Sequence, residues 1–270
     1  MDKQLIRDML ASEISSLIDD IQVFDEIDST NLESLRQIKA GKTGTRLIIA
    51  DAQTAGRGRR DRPWISPAGS GIYLSLTRTF GNEVNALQCL SLVAALSVLG
   101  AAETLGASGL QLKWPNDVLV GRNKLAGILL ELQTADSEKY LVIGIGLNLA
   151  LSTEARALIN QPVTDLATVL IKQGGRPDAS VVAVEIVNQL IINIIRFEEQ
   201  GFSPFMKMWN FHDKYLNHVV VIQAGNSRTT GKSLGVDENA ALILQTASGR
   251  ELITGGEIFP SLHELPEDSD

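Results

Sequence analysis

The sequence predicts an α/β domain followed by a small β-barrel or half-barrel, and three observations support this fold class. Segments with strand and helix patterns alternate along the chain up to Trp209. From Val219 onward, short apolar runs are separated by Gly or Asn turns, and no helical pattern appears. The 270 residues are 44% hydrophobic and 21% charged, as expected for a globular protein with a full-size core. We therefore predict a domain boundary near Leu216.

The helices of the first domain are predicted from apolar residues spaced three and four apart. The first helix spans residues 3–20, and the second begins after Asp28 or Ser29, since either side chain can cap it. Residues 87–105 are rich in Ala and Leu and predict a buried helix that ends at Gly106. The remaining helices are short ones over 154–159 and 165–171 and an amphipathic one from Asp178 to near Glu199.

The strands are predicted from short runs of apolar and β-branched residues bounded by turn formers. Turn residues at Gly121-Arg122-Asn123 and Ala135-Asp136-Ser137 indicate hairpins. The predicted strands of the first domain are 23–27, 47–50, 72–76, 110–113, 118–120, 125–132 and 140–149. Those of the second are 219–222, 229–236, 241–245 and 251–254.

Charge and cysteine content exclude several classes of protein. With 24 Lys and Arg against 32 Asp and Glu, the formal charge of -8 opposes wholesale binding to nucleic acid or anionic membranes. The single cysteine, Cys89, lies in an apolar run, which excludes a disulfide framework and a thiolate metal cluster and indicates a core residue. The first twenty or so residues resemble neither a signal nor a transit peptide, and polar residues interrupt the apolar stretch 179–197. We expect a cytoplasmic protein without a transmembrane segment.

The strongest local feature is a basic loop, here called the Arg loop, with the sequence Gly56-Arg57-Gly58-Arg59-Arg60-Asp61-Arg62-Pro63-Trp64. Its glycines allow backbone amides to approach a ligand, and guanidinium groups match phosphate or carboxylate oxygens in a fork geometry. The loop therefore indicates a small phosphorylated or carboxylate ligand, with nucleic acid and a solvated surface loop as alternatives. Neither a dinucleotide fingerprint nor a P-loop is complete, so a nucleotide would be bound by another route.

A second feature is the segment Lys113-Trp114-Pro115-Asn116-Asp117, followed by Lys124 and Gly127. Asn116 and Asp117 offer oxygen ligands to a hard cation such as Mg²⁺, and Lys124 offers a point charge to a carboxylate or phosphate. Asn and Asp after proline are also ordinary turn formers. Together with the Arg loop, however, these groups suit phosphoryl or adenylyl chemistry, which depends on positioning and charge stabilisation.

A third feature is the strand Gly144-Ile145-Gly146-Leu147-Asn148. Two glycines inside a strand mark close approach either of a ligand or of another backbone segment. The three histidines, His212, His218 and His263, are scattered, which argues against a transition-metal site and against a Ser-His-Asp triad.

Six segments of the chain, taken in order, resemble the motifs of biotin protein ligases. They are Ser29-Thr30-Asn31, residues 53–60, residues 64–67, residues 113–117, residues 124–128 and residues 144–148. The resemblance spans about residues 23–270 and rests mainly on the joint occurrence of the Arg loop and the 113–117 segment. It implies an extension over 1–22, a catalytic domain over 23–215 with a mixed sheet and flanking helices, and an SH3-like β-barrel over 216–270. Because only about twenty residues precede the catalytic region, we expect this chain to lack the DNA-binding domain that some members carry.

The resemblance implies an enzyme that uses ATP to convert biotin to biotinyl-5'-AMP with release of pyrophosphate. The biotinyl group would then be transferred to one lysine of a biotin carboxyl carrier domain, in acetyl-CoA carboxylase or another biotin-dependent enzyme. ATP and biotin are the implied substrates and Mg²⁺ the implied cofactor, with no DNA or membrane partner and room for a weak homodimer. The alternatives are a lipoate or octanoate ligase or transferase of related fold, a non-catalytic biotin-binding regulator and an operator-binding protein.

The resemblance also implies residue roles. The catalytic residues would be Lys124, which holds the biotin carboxylate, Arg59, and Asp117, which accepts a proton from the incoming lysine. The biotin-binding residues would be Ser29, Thr30, Asn31, Gln53, Arg57, Gly58, Arg59, Lys124, Gly127, Leu129, Gly144, Gly146 and Leu147. The ATP or adenylate residues would be Arg57, Arg59, Arg60, Arg62, Trp64, Asn116 and Asn148, with Mg²⁺ on Asn116 and Asp117. Asp61 departs from the family's usual glycine, and no Arg or Lys follows Gly255-Gly256-Glu257, which matches the family's last strand.

Overall fold

A mixed seven-stranded sheet forms the centre of the larger domain in the computed structural model, which describes residues 1–80, 86–170 and 177–259. Its order is β1-β2-β3-β7-β6-β5-β4, in which β1 and β2 are parallel and every other neighbouring pair is antiparallel. The strands are β1 Asp20–Ile27, β2 Arg46–Gln53, β3 Gly71–Phe80, β4 Leu110–Lys113, β5 Asp117–Val120, β6 Asn123–Ala135 and β7 Glu138–Asn148. The antiparallel hairpins β4-β5-β6-β7 follow the predicted turns closely.

Helices cover both faces of this sheet. The helices are α1 Lys3–Met9, α2 Ser12–Ser15, α3 Thr30–Lys39, α4 Ala86–Thr104, α5 Thr153–Ala157, α6 Leu166–Val169, α7 Ala179–Gln200 and α8 Ser203–His212. The long α4 and α7 pack against each other and against one face of the sheet, while α3 packs on the opposite face. Ser29 caps α3, Asp165 caps α6 and Asp178 caps α7, each accepting a hydrogen bond from a backbone N–H in the first turn.

Side-chain alternation along β7 separates the main core from the other face of the sheet. Ile143, Ile145 and Leu147 lie in the hydrophobic core with α4 and α7. The intervening positions point the opposite way, and two of them, Gly144 and Gly146, lie beneath side chains from α3 and the Arg loop. The face that carries α3 is therefore left with a shallow, side-chain-free floor at the end of β7.

The smaller domain is a five-stranded antiparallel sheet in the order β11-β10-β9-β8-β12. Its strands are β8 Val219–Ala224, β9 Ser227–Val236, β10 Leu242–Thr246, β11 Gly249–Ile253 and β12 Glu257–Phe259. Its buried residues continue the core of the larger domain. At the junction, Trp114 Nε1 and Gln88 Nε2 both donate to the carbonyl of Ala240, at 3.2 and 2.8 Å. The two sheets thus pack as one body.

One prediction about helices was wrong, and one helix was not predicted. The single helix predicted over residues 3–20 is broken, because Leu10 and Ala11 are extended and separate α1 from α2. This break allows Ile6, Leu10 and Ile14 all to reach the same core beside α7. No helix was predicted over α8, although Pro204 stands in its first turn, where proline is favoured. The predicted end of α6 at Ile171 lies outside the described residues.

Two described helices, Leu87–Thr104 within α4 and Ala179–Gln200, are long and apolar enough to cross a membrane by length and composition alone. In the structure 67% and 56% of the corresponding windows are buried inside the protein. They therefore serve as core helices here. Cys89 on α4 is 5% exposed, as predicted for a core residue, and burial raises the pKa of its thiol to about 11.

Candidate active site

A cleft lies on the α3 face of the sheet, between the Arg loop, the start of α3 and the glycines of β6 and β7. The predicted site residues that line it are Ser29, Thr30, Asn31, Gln53, Arg57, Gly58, Arg59, Arg62, Trp64, Asn116, Asp117, Lys124, Gly127, Leu129, Gly144 and Gly146. An adjoining depression shares Arg62 and Trp64 with the cleft and contains Asn148. Two predicted residues lie elsewhere: Leu147 is in the hydrophobic core, and Arg60 points toward the smaller domain. Leu147 differs because strand alternation turns it away from Gly146.

The Arg loop folds back on itself as a narrow hairpin. The N–H of Gly58 donates to the carbonyl of Arg62 at 2.8 Å, and the N–H of Trp64 donates to the carbonyl of Gly56 at 2.9 Å. A Cβ at Gly56 would clash with the backbone carbonyl oxygen of Trp64 and would lie 2.6 Å from Ser66 Oγ, so only glycine fits there. These contacts fix the direction in which the loop presents its side chains to the cleft.

The tip of the hairpin is a single 3₁₀ turn in which two residues adopt left-handed backbone conformations. Arg60 and Asp61 both have φ of 57°. Asp tolerates this region better than most residues, so the loop can form this turn without a glycine at position 61. The Asp61 side chain is exposed, so its carboxylate faces solvent.

The indole ring of Trp64 lies against a pair of strand glycines. Gly127 and Gly146 are directly paired across β6 and β7. A Cβ at Gly146 would lie 2.5 Å from Trp64 Cε2, and one at Gly127 would lie 3.1 Å from Trp64 Cζ3. The Lys124 ammonium stands 5.2 Å from the centre of the indole ring, within cation–π range. The strand glycines therefore make room for the indole ring of Trp64.

A hydrogen-bonded network forms the polar end of the cleft. Ser75 Oγ lies 2.8 Å from Thr30 Oγ1 and 2.6 Å from Asn31 Oδ1. Gln53 Oε1 accepts from the N–H of Thr30 at 2.9 Å, and Asn31 Nδ2 donates to Glu131 Oε2 at 2.8 Å. Apart from the Glu131 carboxylate, the network holds neutral donors and acceptors in fixed orientations, which suits a neutral, hydrogen-bonding ligand group.

Glu131 joins this polar network to the Arg loop. Its other oxygen, Oε1, lies 2.9 Å from Arg57 Nη1. On the neighbouring strand, a Cβ at Gly144 would lie 2.8 Å from Asn31 Cγ. The Asn31 side chain therefore occupies space that only a glycine at position 144 leaves open. Position 131 is one charged residue in the otherwise apolar run 125–132, which is the sequence signal that could have identified it.

The positive wall of the cleft is built by two cations with different partners. Lys124 Nζ lies 2.7 Å from Asp117 Oδ1, and these side chains are only 13% and 15% exposed. Arg59 Nη1 donates to Asn116 Oδ1 at 3.1 Å, while Asn116 Nδ2 donates to the carbonyl of Ile128 at 2.9 Å. Burial lowers the pKa of Arg59 from its ordinary value, which reflects a guanidinium held away from water.

Asn148 supports Lys124 through the backbone. Its amide nitrogen donates to the carbonyls of Lys124, at 3.2 Å, and of Thr164, at 3.0 Å. Since the N–H of Thr164 also donates to the carbonyl of Lys124, this segment fixes the start of β6. Asn148 thus lines the second depression and fixes the backbone position of Lys124.

The smaller domain contributes one acidic residue to the Arg loop. Glu257 Oε1 lies 2.9 Å from Arg60 Nη1 and 2.8 Å from Arg62 Nη2. Arg59 Nη2 also approaches the carbonyl of Gly256 at 3.4 Å. Burial alone would raise the pKa of Glu257, but the hydrogen bonds from Arg62 and the charges of both arginines outweigh it and lower that pKa. The segment Gly255-Gly256-Glu257 therefore faces the Arg loop through the carboxylate of Glu257.

The oxygen donors predicted for Mg²⁺ already have cationic partners. Asp117 pairs with Lys124, and Asn116 accepts from Arg59. Within residues 1–80, 86–170 and 177–259, no three His, Cys, Asp or Glu side chains converge as a metal site would require. These residues do not fit a metal ion held by the protein alone. His212 and His218 lie outside the cleft, and His263 is outside the described residues.

Comparison with known proteins decides the family. Residues 23–148 match the Biotin/lipoate A/B protein ligase family, and residues 217–259 match the Biotin protein ligase C terminal domain. The Biotin--[acetyl-CoA-carboxylase] ligase of Paracoccus denitrificans is 35% identical over 242 residues, covering 86% of this chain and 97% of that protein. The chain belongs to the biotin protein ligase family.

Further members of the biotin protein ligase family extend this similarity. The Bifunctional ligase/repressor BirA of Escherichia coli (strain K12) is 35% identical over 240 residues, covering 88% of this chain and 73% of that protein. The structure of the biotin protein ligase from Aquifex aeolicus in complex with biotin and ATP superposes with a TM-score of 0.74 at 29% identity. That comparison covers 89% of this chain and 98% of the other. The predicted fold class is confirmed.

Proposed function

We propose that this chain is an ATP-dependent biotin protein ligase, which forms biotinyl-5'-AMP and transfers the biotinyl group to a lysine of a biotin carboxyl carrier domain. One observation carries the proposal: a single cleft joins a neutral polar network, a glycine floor and a positively charged wall. Biotin presents the matching groups in the same order, namely a neutral urea, an apolar ring and chain, and a carboxylate. Family membership and the ligand-bound relative support the same activity.

In the first step, a carboxylate oxygen of biotin attacks the α-phosphorus of ATP. The new C–O–P anhydride forms as the bond from the α-phosphorus to pyrophosphate breaks, and the electron pair leaves with pyrophosphate. Lys124 and Arg59 would stabilise the charge on the reacting oxygens, since preorganised cations in a water-poor cleft act strongly there. Asn31, Thr30 and Gln53 would orient the urea at the far end, which places the carboxylate near Lys124.

In the second step, the neutral amine of the carrier lysine attacks the acyl carbon, and AMP leaves with the bonding electrons. Asp117 would accept the amine proton, because Lys124 can follow the acyl-phosphate and release the carboxylate that it holds at 2.7 Å. Trp64, Arg62 and Asn148 line the depression next to the cleft and would hold the adenylyl group. Mg²⁺ enters this scheme as the counter-ion of ATP, and no step depends on a protein-held metal.

The carrier domain of acetyl-CoA carboxylase is the proposed partner, by analogy with the Biotin--[acetyl-CoA-carboxylase] ligase of Paracoccus denitrificans. A cytoplasmic location, a weak homodimer and the absence of DNA binding are predictions from the sequence. A strongly salt-dependent affinity for duplex DNA would contradict the last of them.

The experiment measures pyrophosphate exchange with biotin, lipoate and octanoate in parallel, followed by transfer to a recombinant carrier domain detected with avidin. We expect exchange and transfer with biotin only. Exchange with lipoate or octanoate but not biotin would refute the assignment. Biotin binding without transfer in the presence of ATP and Mg²⁺ would instead identify a non-catalytic regulator. Lys124→Ala is expected to abolish exchange, which ties the activity to this cleft.

A further inference from the structure

Glu131 is a carboxylate beside the cleft that the motifs of the resemblance do not include. It lies on β6, behind the residues that line the cleft, and its side chain is 20% exposed. It contacts two of the lining residues. Asn31 Nδ2 donates to Glu131 Oε2 at 2.8 Å, and Arg57 Nη1 donates to Oε1 at 2.9 Å. Any effect of Glu131 on a ligand therefore passes through these neighbours.

The Glu131 carboxylate determines how the amide of Asn31 is oriented. A carboxylate paired with a guanidinium only accepts hydrogen bonds, so the Asn31 group that faces it must be the NH₂ group. Asn31 Oδ1 then faces Ser75 Oγ, at 2.6 Å, and can only accept from it. Asn31 is 4% exposed and Ser75 is fully buried, so bulk water does not compete for these groups.

The orientation of Asn31 is passed to Thr30 through Ser75. A hydroxyl carries one hydrogen, and that of Ser75 is used on Asn31. Ser75 Oγ and Thr30 Oγ1 are 2.8 Å apart, so a hydrogen must lie between them. This hydrogen belongs to Thr30, which therefore donates to Ser75. Gln53 Oε1 is the poorer acceptor for it, because it lies 3.3 Å from Thr30 Oγ1 and already accepts the Thr30 N–H at 2.9 Å.

The polar end of the cleft thus presents acceptors to a ligand. With its hydrogen directed at Ser75, Thr30 Oγ1 keeps a lone pair for the ligand. Gln53 Oε1 is fixed as an acceptor too, since Gln53 Nε2 donates to Ser66 Oγ at 3.0 Å. Thr30 and Gln53 both line the cleft. Two acceptors side by side match a ligand group with two N–H donors, as a cyclic urea has.

We propose that Glu131 is a positioning residue that makes the site specific for the N–H groups of a cyclic urea. The inference rests on the proposed function and deepens it. The hydrogen bonds from Thr30 through Ser75 and Asn31 to Glu131 run in one direction because the last acceptor is a charge that cannot donate. A neutral amide at position 131 removes this constraint, since the Asn31 amide can then turn over and both hydroxyls can reverse. Thr30 would then donate to a ligand oxygen as readily as it accepts from an N–H.

The test measures, by calorimetric titration, the affinities for biotin and for its two cyclic carbamate analogues, in each of which oxygen replaces one ring N–H. The carbamate that places its oxygen against Thr30 should bind wild type about 10- to 100-fold more weakly than biotin, because one hydrogen bond is lost and two acceptors face each other. In Glu131→Gln this ratio should fall about tenfold. Ser75→Ala should lower it similarly, since it interrupts the chain but keeps the ion pair of Glu131 with Arg57.

The ratio of affinities separates this role from support of the fold. Loss of the ion pair with Arg57 would weaken biotin and carbamate alike and leave the ratio unchanged. Glu103→Gln, an exposed glutamate on α4, is the matched control and should keep the wild-type affinities and ratio.

A Glu131→Gln ratio within about twofold of wild type would overturn the inference, whatever happens to the two affinities. Wild-type protein that binds biotin without preference over either carbamate would also overturn it, but would leave the proposed function standing. Wild-type protein that binds no biotin would refute the proposed function and the inference with it. If Glu131→Gln fails to fold, the ratio in Ser75→Ala decides.

Discussion

Gly146→Ala tests whether the strand glycines exist to seat Trp64. The added Cβ would lie 2.5 Å from Cε2 and 2.6 Å from Nε1 of the indole, and 2.8 Å from Cζ2. Ordinary carbon contacts need about 3.5–4.0 Å, so the ring must move by about 1 Å or the strand must shift. Overpacking of this kind costs about 1–3 kcal/mol. Because the ring also borders the proposed adenylyl site, we expect kcat/KM for ATP to fall about 10- to 100-fold.

The assay compares Gly146→Ala with Gly100→Ala, where the new Cβ on α4 would meet only Gln189 Oε1 at 3.8 Å. The control should keep full activity and, as a helix-interior glycine, gain up to about 1 kcal/mol of stability. Tryptophan fluorescence and the kinetics of biotinyl-5'-AMP formation would be measured for both. Wild-type kinetics in Gly146→Ala, with an unchanged melting temperature, would refute the idea that Trp64 needs this floor.

Three further predictions follow from individual contacts. Arg59→Gly should release biotinyl-5'-AMP about 10- to 100-fold faster, since a charged hydrogen-bond donor is lost; unchanged retention in a filter assay would contradict this. Glu257→Gln should lower KM for ATP about two- to fivefold, because the carboxylate competes with phosphates for Arg60 and Arg62; a raised KM would mean that it positions them instead. Burial raises the pKa of Asp213 from 3.8 to about 6, so the folded protein binds this proton more tightly than the unfolded chain. The resulting contribution to the free energy of unfolding is complete below pH 3.8 and is lost as the pH rises through 6. Asp213→Asn should remove this loss of unfolding free energy, which is about 2–3 kcal/mol at pH 7.5. The melting temperature should therefore rise at pH 7.5 but not at pH 3.5, whereas the exposed control Asp136→Asn should show no such difference. Equal shifts of the Asp213→Asn melting temperature at both pH values would contradict the prediction.

Local patterns predicted most of the elements because each was decided by residues close together in the chain. The alternation at the start of β1, the apolar run in β2 and the cap at Asp178 all act within one element. The N-terminal helix was wrong because its continuity depended on the surface it packs against, which bends the chain at Leu10. Helical spacing alone does not reveal such a bend.

The cleft was predictable as a set of residues but less so as a set of contacts. The Arg loop and Lys124 were expected to share one site because both offer cations to a phosphate or carboxylate, as phosphoryl or adenylyl chemistry requires. The ion pair of Arg57 with Glu131 joins positions 74 residues apart, and that of Arg62 with Glu257 joins positions 195 apart. The lone charge in the apolar run 125–132 marks Glu131 as unusual, but one sequence contains no signal that pairs it with Arg57 or that pairs Arg62 with Glu257.

The carbonyl of Ala240 accepts hydrogen bonds from both Gln88 on α4 and Trp114, the residue next to Lys113. This shared acceptor means that the turn carrying Lys113 is held from outside its own domain. Heating should therefore dissolve the cleft and the C-terminal sheet together, in one calorimetric transition. For the same reason, substitutions near Ala240 should disturb the turn that carries Lys113, although Ala240 belongs to the smaller domain.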